Sequence, residues 1–438
     1  MGTQISIFDG ANKYVNDKPI RLIECFAGYG SQALALKYLG IPFEHHRIAE
    51  WAVKSIQAYK DMHFPDDDTD YSWGLTFDNV IDYLFERGIS ADYNKPMTRE
   101  QIKRMGENKC RTVYNNIKAT HNLVSVCNVK AKDLQITDTD RFTYLLTYSF
   151  PCQDLSKAGN RKGMDKDSGT RSGLLWEIER ILKECDELPQ ILLMENVPDV
   201  IGEKNKSSFA EWVSFLEGLG YRSYWKILNG KDYEIAQNRE RCFMISILGD
   251  YYYDFPEAKP LKVRLKDFLE SEVDEKYYCD KNIKLEDLFP YGSYYTWKDK
   301  QGNLNTECNR VCDPNGYSLT LPTFPLIKVI ENISCECIGM LKGGKWDKMH
   351  EISRRVYSTD GCCPTLHTCG GGNLEPKIAT NNSRIRKVIP IECFRLMGVK
   401  DEDYERVASN QSKSSLYHLA GDSIVVNVLM AIFKELFM

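Results

Sequence analysis

The sequence predicts an α/β fold built around a parallel sheet. Short apolar runs alternate with helical segments along much of the chain, which is typical of a parallel sheet covered by helices. The clearest unit is residues 20–40, where an apolar run meets a glycine turn and then a helical pattern that ends at Gly40. Further apolar runs lie at residues 45–50, 143–150, 190–197, 223–228 and 242–248, with helical segments at 172–183 and 208–219.

The composition is that of an ordinary globular protein. The 438 residues are enough for one large domain or two unequal ones, and fractions of 42% hydrophobic and 27% charged residues exclude wholesale disorder. We find no signal peptide and no apolar stretch of about 18 residues, and therefore predict a cytoplasmic protein that does not contact a membrane. The net charge of −5 argues against a surface coated with basic residues but is compatible with a local basic cleft.

Two stretches interrupt the alternation and set the predicted domain boundaries. Residues 61–130 are charged and dotted with tyrosines, and they are longer than a connection needs, which indicates an insertion. Residues 251–384 are rich in turn residues and cysteines, so we expect a second, smaller domain there. Residues 385–438 regain helical periodicity, and we expect them to return to the first domain, which covers residues 1–250.

The first predicted strand ends in a turn that can accommodate a ligand. Phe26, Gly28 and Gly30 follow this strand, and glycine there lets the backbone approach a ligand, although a simple tight connection would have the same sequence. Glu50 ends the second run, 20 residues after Gly30, where an acidic residue is suited to hold the hydroxyls of a ribose. Trp51 follows it and can pack on an adenine ring.

The same turn lacks the third glycine of the dinucleotide fingerprint. This absence argues against a bound pyrophosphate and favours a nucleoside without phosphates, such as an adenosyl thioether. Asp133 and Leu134 lie near a plausible end of a third strand. Asp133 is therefore a candidate acceptor for an adenine amino group, although any exposed aspartate would look the same in the sequence.

Chemically capable side chains follow the later apolar runs. Cys152 comes just after a predicted strand, with Pro151 stiffening the turn before it. Glu195 ends the next run, and Arg239 and Arg241 introduce the last one. Taken singly, each has a common structural explanation, such as an inert buried thiol or a solvated arginine. Their arrival at consecutive strand ends favours a shared site.

Together these groups can modify carbon 5 of a cytosine. Addition of the Cys152 thiolate at carbon 6 gives an enamine whose carbon 5 can attack a methyl sulfonium. A carboxyl group at Glu195, with its pKa raised by enclosure, can hold a proton at ring N3. The guanidinium of Arg241 can stabilise negative charge at O2. The sequence does not identify the base that removes the carbon 5 proton.

These residues belong to motifs that resemble those of the DNA cytosine-5 methyltransferases, most closely the bacterial and phage members. The resemblance rests on stretches that occur in the family's order, namely FAGYG, AEW, SFPCQDLS, MENVPDV, NGKDYEIAQNRERCFMI, RRVYSTDGCCPTLHTCGGGN, VIPIECFRLMG and YHLAGDSIVVNVL. It implies a Rossmann-like S-adenosylmethionine-dependent methyltransferase fold with a smaller, mixed target-recognition domain. Double-stranded DNA would lie in the cleft between them, with the target cytosine flipped out of the helix.

The resemblance also implies cofactors and residue roles. S-adenosylmethionine would be the methyl donor, S-adenosylhomocysteine the product, and no metal would be required. The residues implied at the adenosyl site are Phe26, Gly28, Gly30, Glu50, Trp51, Asp133, Leu134, Ser423 and Val425. Those implied to be catalytic are Cys152, Glu195, Arg239 and Arg241, and those implied to contact DNA are Ser156, Arg355 and Thr365. Asp422 departs from the family's usual Gly-Asn-Ser motif, which puts the local cofactor contacts in doubt.

Several alternatives stay open at this point. One branch of the family methylates transfer RNA with nearly the same residues, but the long variable region before Arg354 favours DNA. A binding module without activity would not need the Cys152 thiol. A zinc site could draw on Cys308, Cys312, Cys335, Cys337, Cys362, Cys363 and Cys369, but tighter pairs are absent and we favour no metal. We expect a monomer, with a solvated face on the insertion, and leave open a functional pairing with a restriction endonuclease.

Overall fold

The computed structural model describes residues 12–151, 155, 163–166, 171–278, 337–349, 351–366, 377–379 and 385–438. The strands in these ranges are β1 (Asn12–Lys13), β2 (Ile20–Cys25), β3 (Phe43–Ala49), β4 (Thr143–Tyr148), β5 (Ile191–Asn196), β6 (Tyr221–Asn229), β7 (Glu240–Leu248), β8 (Tyr251–Tyr252), β9 (Cys337–Met340), β10 (Arg355–Tyr357), β11 (Lys377–Ala379) and β12 (Ile385–Lys387). The α-helices are α1 (Ser31–Leu39), α2 (Val53–His63), α3 (Phe77–Arg87), α4 (Arg99–Arg104), α5 (Glu107–Ala119), α6 (Ala131–Leu134), α7 (Leu175–Glu184), α8 (Lys206–Gly218), α9 (Pro390–Arg395), α10 (Asp401–Ala408), α11 (Lys413–Asp422) and α12 (Val426–Phe437).

A six-stranded sheet in the order β3-β2-β4-β5-β7-β6 lies at the centre. The first four strands of this order are parallel to one another. β4 and β5 are buried along their whole length, as expected for strands with helices on both faces. The predicted α/β fold class is therefore confirmed.

The alternation of strands and helices predicted a parallel sheet, but β7 runs antiparallel to both β5 and β6. The chain from Asn229 to Glu240 contains only a 3-10 turn, whereas parallel neighbours need a crossover of about a dozen residues or more. As a result, the beginning of β7 lies at the same edge as the end of β5, where Asn196 pairs with Cys242.

Two apolar clusters cover the two faces of the sheet. Leu22 and Leu145 join one cluster with side chains of α1 and α12, whereas Ile23 and Leu146 join the other with α7 and α8. Neighbouring residues of a strand point to opposite faces, so one apolar run supplies both clusters. The packing of α12 against α1 attaches the C-terminal segment to the large sheet.

The C-terminal segment Lys413–Phe437 is long and apolar enough to cross a membrane by length and composition alone. It comprises α11 and α12, which are separated by a short break at residues 423–425. Within its most apolar window, 72% is buried inside the protein, and the buried side chains belong to the same cluster as α1. A core position of this kind accounts for its apolar character.

The predicted insertion folds largely as helices with an apolar cluster of their own. Val80 of α3 and Val113 of α5 pack in this cluster with Ile56 of α2. Thr76 and Thr98 begin α3 and α4, each with a reciprocal capping box that satisfies the first backbone amides. The insertion is thereby packed onto α2, which follows directly after β3 and Glu50.

No strand forms over the described segment before Asp133, contrary to expectation. A single bridge joins Ile48 to Asn122, and the chain continues into the 3-10 turn Val126–Asn128 and then α6. Val124 has a φ of +71°, which interrupts the extended conformation that a strand requires. Asp133 therefore lies within a short helix instead of at the end of a strand.

The described part of residues 251–384 includes three strands of a smaller, mixed sheet in the order β12-β11-β10-β9. β10 and β11 are parallel, and the other two pairs are antiparallel. A backbone bridge between Gln237 and Cys363 connects this region to the loop before β7. Cys308, Cys312, Cys335 and Cys369 lie outside the described residues, and the described residues contain no group of three potential metal ligands.

Candidate functional site

A cavity of about 490 Å³ lies at the carboxyl edge of the large sheet, beside the ends of β2, β3, β4 and β5. The chain places β3 on one side of β2 and then β4 on the other side, so the order of the strands changes direction between β2 and β4. Ligands bind at such switch points in open α/β sheets. Residues predicted from the sequence that line this cavity are Phe26, Gly28, Glu50, Trp51, Glu195, Arg239, Arg241 and Ser423. The structure thus brings eight of the predicted site residues to one cavity.

The glycine turn after β2 forms one wall through its unusual backbone geometry. Phe26, Gly28 and Gly30 all have positive φ values, of 60°, 57° and 81°. A Cβ atom on Gly30 would lie 2.7 Å from Cε2 of Tyr59, so only glycine fits between the turn and α2. Gly30 supports the turn from behind and does not line the cavity, whereas Phe26 and Gly28 do.

Glu50 lies across the cavity wall from this turn, and its carboxylate is held by backbone amides. Its Oε2 accepts from the Gly28 amide at 2.9 Å, and its Oε1 accepts from the Ala52 amide at 2.8 Å. Asn122 fixes the Glu50 backbone by bonding both its amide and its carbonyl. Burial raises the pKa of Glu50 to about 7, against the opposing effect of these amides. We call Gly28, Glu50 and Trp51 the Glu50 end of the cavity.

Glu195 lies at the opposite end, where its carboxylate is paired with a guanidinium. The Nε atom of Arg241 is 3.1 Å from Oε1 of Glu195, and both side chains are largely buried. Burial raises the pKa of Glu195, and the positive charges of Arg241 and Arg239 oppose this shift. The antiparallel course of β7 brings Arg241 to the end of β5. We call Glu195, Arg239 and Arg241 the Glu195 end.

Arg239 joins three parts of the chain at this end. Its Nη1 donates to the Leu366 carbonyl at 3.0 Å, and its Nη2 donates to the carbonyls of Gly421 and Ser423, each at 2.8 Å. Only 4% of Arg239 is exposed, so these carbonyls replace the water that its charge would otherwise bind. Arg239 therefore fixes the junction of α11 and α12 against the smaller region.

The chain that leads to Cys152 forms another part of the wall. Ser149, Phe150 and Pro151 line the cavity directly after β4. Asn196 donates to the Phe150 carbonyl at 2.9 Å, and Ser172 donates to the Pro151 carbonyl at 2.7 Å. Each of the two residues before Cys152 is thus held by one side-chain hydrogen bond. Cys152 and Ser156 themselves lie outside the described residues.

Besides Gly30, three residues predicted for the adenosyl site do not line the cavity. Asp133 accepts from the Lys130 amide at 2.9 Å and caps its own helix, while Leu134 is fully buried in the core. Val425 is also buried, at the start of α12. The 3-10 turn Val126–Asn128 lines the cavity instead. The sequence does not predict that this turn lines the cavity, because the turn lies within an apolar run that resembles a strand.

The residues predicted to contact DNA have protein partners in the described structure. Arg355 on β10 forms an ion pair with Glu351 at 2.7 Å, and the Thr365 hydroxyl donates to the Asn238 carbonyl at 2.7 Å. Neither side chain lines the cavity. Thr365 thereby contacts the loop that carries Arg239, whereas Arg355 lies in the smaller sheet, where it pairs with Met340 of β9.

Sequence reasoning also missed cavity residues from distant segments. Tyr93 and Asn94 of the insertion lie on the wall, as does His418 of α11; Asp422, which the sequence marked as a departure from the family motif, also lines it. Asn196 directly follows Glu195, and its position in the MENVP motif was the available signal for its structural role. No comparable signal marks Tyr93, because its place depends on how the insertion packs.

Comparison with known proteins identifies the family. The family model described as C-5 cytosine-specific DNA methylase matches residues 93–438. The type II methyltransferase M2.ScrFI of Lactococcus lactis subsp. cremoris is 33% identical over 95% of this chain and 99% of its own length. The orphan methyltransferase M.SssI of Spiroplasma monobiae is 32% identical over 96% of this chain and 97% of its own length.

Solved structures share the fold at lower sequence identity. Dnmt2 methyltransferase of S. pombe matches with a TM-score of 0.54 and 16% identity, over 95% of this chain and 97% of its own. The methyltransferase EhMeth of Entamoeba histolytica matches with a TM-score of 0.57 and 12% identity, over 96% and 98%. The family-model match and the two relatives above 30% identity show that this chain belongs to the C-5 cytosine-specific DNA methylases and is a DNA cytosine-5 methyltransferase.

Proposed function

We propose that this enzyme transfers the methyl group of S-adenosylmethionine to carbon 5 of a cytosine flipped out of duplex DNA, with Cys152 as the covalent nucleophile. The observation that carries the proposal is the single cavity that contains both the Glu50 end and the Glu195 end. A methyl donor and a cytosine that occupy these two ends would have their reacting atoms side by side, which methyl transfer requires.

The Glu50 end suits an adenosyl donor. Its carboxylate can accept from ribose hydroxyls, and Trp51 offers an aromatic surface to adenine. The volume of about 490 Å³ lies within the range of pockets for ligands of this size. We assign Phe26, Glu50, Trp51 and the turn Val126–Asn128 to this site, with Ser423 near the reaction centre. When bound, the donor supplies the electrophilic methyl group.

The Glu195 end suits the activated cytosine. The thiol of Cys152 would lose its proton and bond to carbon 6, while protonated Glu195 donates to ring N3 and Arg241 donates to O2. Carbon 5 then bonds to the methyl group, and the sulfur of the donor keeps the electron pair of the broken bond. Loss of the carbon 5 proton to a base, departure of the Cys152 thiolate and return of the N3 proton to Glu195 restore the aromatic ring.

We expect the cytosine to be flipped out of the duplex, because Glu195 and Arg241 are largely buried and a stacked cytosine could not reach them. We expect Arg355, Thr365 and Ser156 to contact the displaced nucleotide, and residues 251–384 to contribute to recognition of the DNA sequence. One relative is named a type II methyltransferase and another an orphan methyltransferase, so pairing with a restriction endonuclease stays a prediction.

Expression in a host without cytosine methylation tests the proposal. Bisulfite sequencing should find modified cytosines in one short motif, and Cys152→Ala should abolish them. A duplex with 5-fluorocytosine in that motif should form a stable adduct with the wild-type protein when S-adenosylmethionine is present. DNA without modification, together with methylated transfer RNA, would overturn the DNA proposal, and absence of the adduct would overturn the covalent mechanism.

A further inference from the structure

Besides the turn Val126–Asn128, a short loop of the insertion, residues 90–97, reaches the cavity. The loop is attached to the segment that carries Glu50, because the Ser90 amide donates to the Trp51 carbonyl at 2.8 Å and the Val53 amide donates to the Ser90 carbonyl at 2.9 Å. Its ends are joined by the Met97 amide, which donates to the Ile89 carbonyl at 2.8 Å. The loop is therefore a built part of the wall at the Glu50 end.

Tyr93 at the tip of this loop has an unusual conformation. Its φ is +61°, a value that a bulky side chain rarely adopts and that persists only where its surroundings enforce it. The hydroxyl lies 3.1 Å from the Ser55 hydroxyl on α2. The strained backbone thus directs the Tyr93 ring toward the cavity, and the contact with the Ser55 hydroxyl holds the ring there.

The ring of Tyr93 meets a residue from the far end of the chain. Its centroid is 4.3 Å from that of the His418 ring, and the two planes are inclined by 38°. His418 belongs to α11 and pairs with Asp422 one turn later, at 3.0 Å. Both rings line the cavity, so their contact joins the insertion to α11 across one side of it.

We propose that Tyr93 and His418 form an aromatic clasp that encloses the adenosyl donor, which gives the loop of residues 90–97 and the start of the last motif a joint role in donor binding. The inference rests on the proposed function, since it requires the donor at the Glu50 end. Burial raises the pKa of Tyr93, and the charges of Glu50 and Asp422 raise it further, which agrees with a phenol that stays neutral between the two carboxylates. The clasp positions the donor and takes no part in bond formation.

Binding of S-adenosylhomocysteine to the full chain, measured by isothermal titration calorimetry, tests this proposal. Tyr93→Ala should weaken binding about 10-fold, because the variant loses a ring contact and an apolar wall. Tyr93→Phe keeps the ring and should bind within about twofold of wild type. His418→Ala should also weaken binding, and the combined variant should lose less than the product of the two single effects, as expected for side chains in contact.

Steady-state kinetics and stability separate this role from a structural one. Tyr93→Ala should raise the KM for the donor with little change in kcat or in the KM for DNA, and its melting temperature without ligand should match that of Tyr71→Ala. Tyr71 is a suitable control because it is an exposed tyrosine elsewhere in the insertion. Equal affinity of Tyr93→Ala and wild type would overturn the clasp alone. A wild-type chain that binds no S-adenosylhomocysteine would overturn the proposed function and the clasp with it.

Discussion

The two ends of the cavity each hold a buried carboxylate, but they are built from different partners. Glu50 is held by backbone amides of neighbouring segments, whereas Glu195 is paired with the side chain of Arg241. Amides fixed by the fold cannot move away, so Glu50 keeps one geometry. A guanidinium on a side chain can turn toward a substrate. This difference agrees with the proposed roles, in which the Glu50 end binds the donor and the proton and partner of Glu195 change during the reaction.

The largest expected effect is at the Glu195 end. Glu195→Gln keeps the shape of the side chain but cannot transfer a proton to N3, so kcat should fall by about 10²–10⁴. The affinity for S-adenosylhomocysteine should stay within about twofold, because the donor contacts lie elsewhere. Glu203→Gln is the control, since Glu203 is an exposed carboxylate in the loop after β5, with 93% of its side chain accessible.

The pH profile of the same variant sharpens the comparison. Burial raises the pKa of Glu195, so the protonated form that the mechanism requires persists to higher pH than for an ordinary carboxyl group. The wild-type rate should decline as pH rises through that pKa, and Glu195→Gln should lack this decline. An unchanged profile would remove Glu195 from the role of proton donor.

A smaller effect is expected at the Glu50 end, and it should appear in binding. In Glu50→Gln the new amide can accept from only one of the Gly28 and Ala52 amides, and it loses the negative charge that attracts ribose hydroxyls. The donor KM should rise about 10-fold, in line with the loss of hydrogen bonds to a charged group, while kcat at saturating donor changes little. Glu44→Gln, which changes an exposed carboxylate on the strand that precedes Glu50, should match wild type.

The convergence of both ends could be predicted from the sequence for a simple geometric reason. Phe26, Glu50 and Glu195 each lie at the carboxyl end of an apolar run, and such ends meet at one edge when the strands are parallel. Arg241 reached the same edge for a different reason, because β7 is antiparallel and begins there. The position was predicted, but the direction of the strand was not.

The remaining errors arose where tertiary contacts override local pattern. The valine-rich run before Asp133 favours a strand by composition, but Val124 takes a positive φ and the chain turns into α6. The position of Tyr93 at the cavity could not be predicted from the sequence, because it depends on contact with α11, which is more than 300 residues away. Contacts of this kind depend on packing between segments and leave no periodic signal.

A third buried carboxylate, Glu24 on β2, provides a reference without a predicted ligand. It lies behind the glycine turn, does not line the cavity and accepts from the Tyr59 hydroxyl at 2.6 Å. Burial raises the pKa of Glu24 to about 7 from an ordinary value of 4.5, and raises that of Glu50 equally. If the amides around Glu50 serve ligand binding instead of stability, replacing Glu24 or Glu50 should change the free energy of unfolding by similar amounts. The two replacements should differ in their effect on the KM for the donor.

The stability test has a definite sign. A carboxyl group whose pKa is raised by folding stabilises the protein below pH 4.5, and this contribution is lost as pH rises to about 7. His45 has its pKa lowered by burial to about 4, so it acts in the opposite sense and only the difference between variants is informative. Between pH 4.5 and pH 8, the free energy of unfolding measured with urea should fall by about 3 kcal/mol more in wild type than in Glu24→Gln. The pH dependence of the unfolding free energy of Glu50→Gln should differ from that of wild type by a similar amount. A donor KM that changes in Glu50→Gln and not in Glu24→Gln would show that only the carboxylate in the cavity binds the donor.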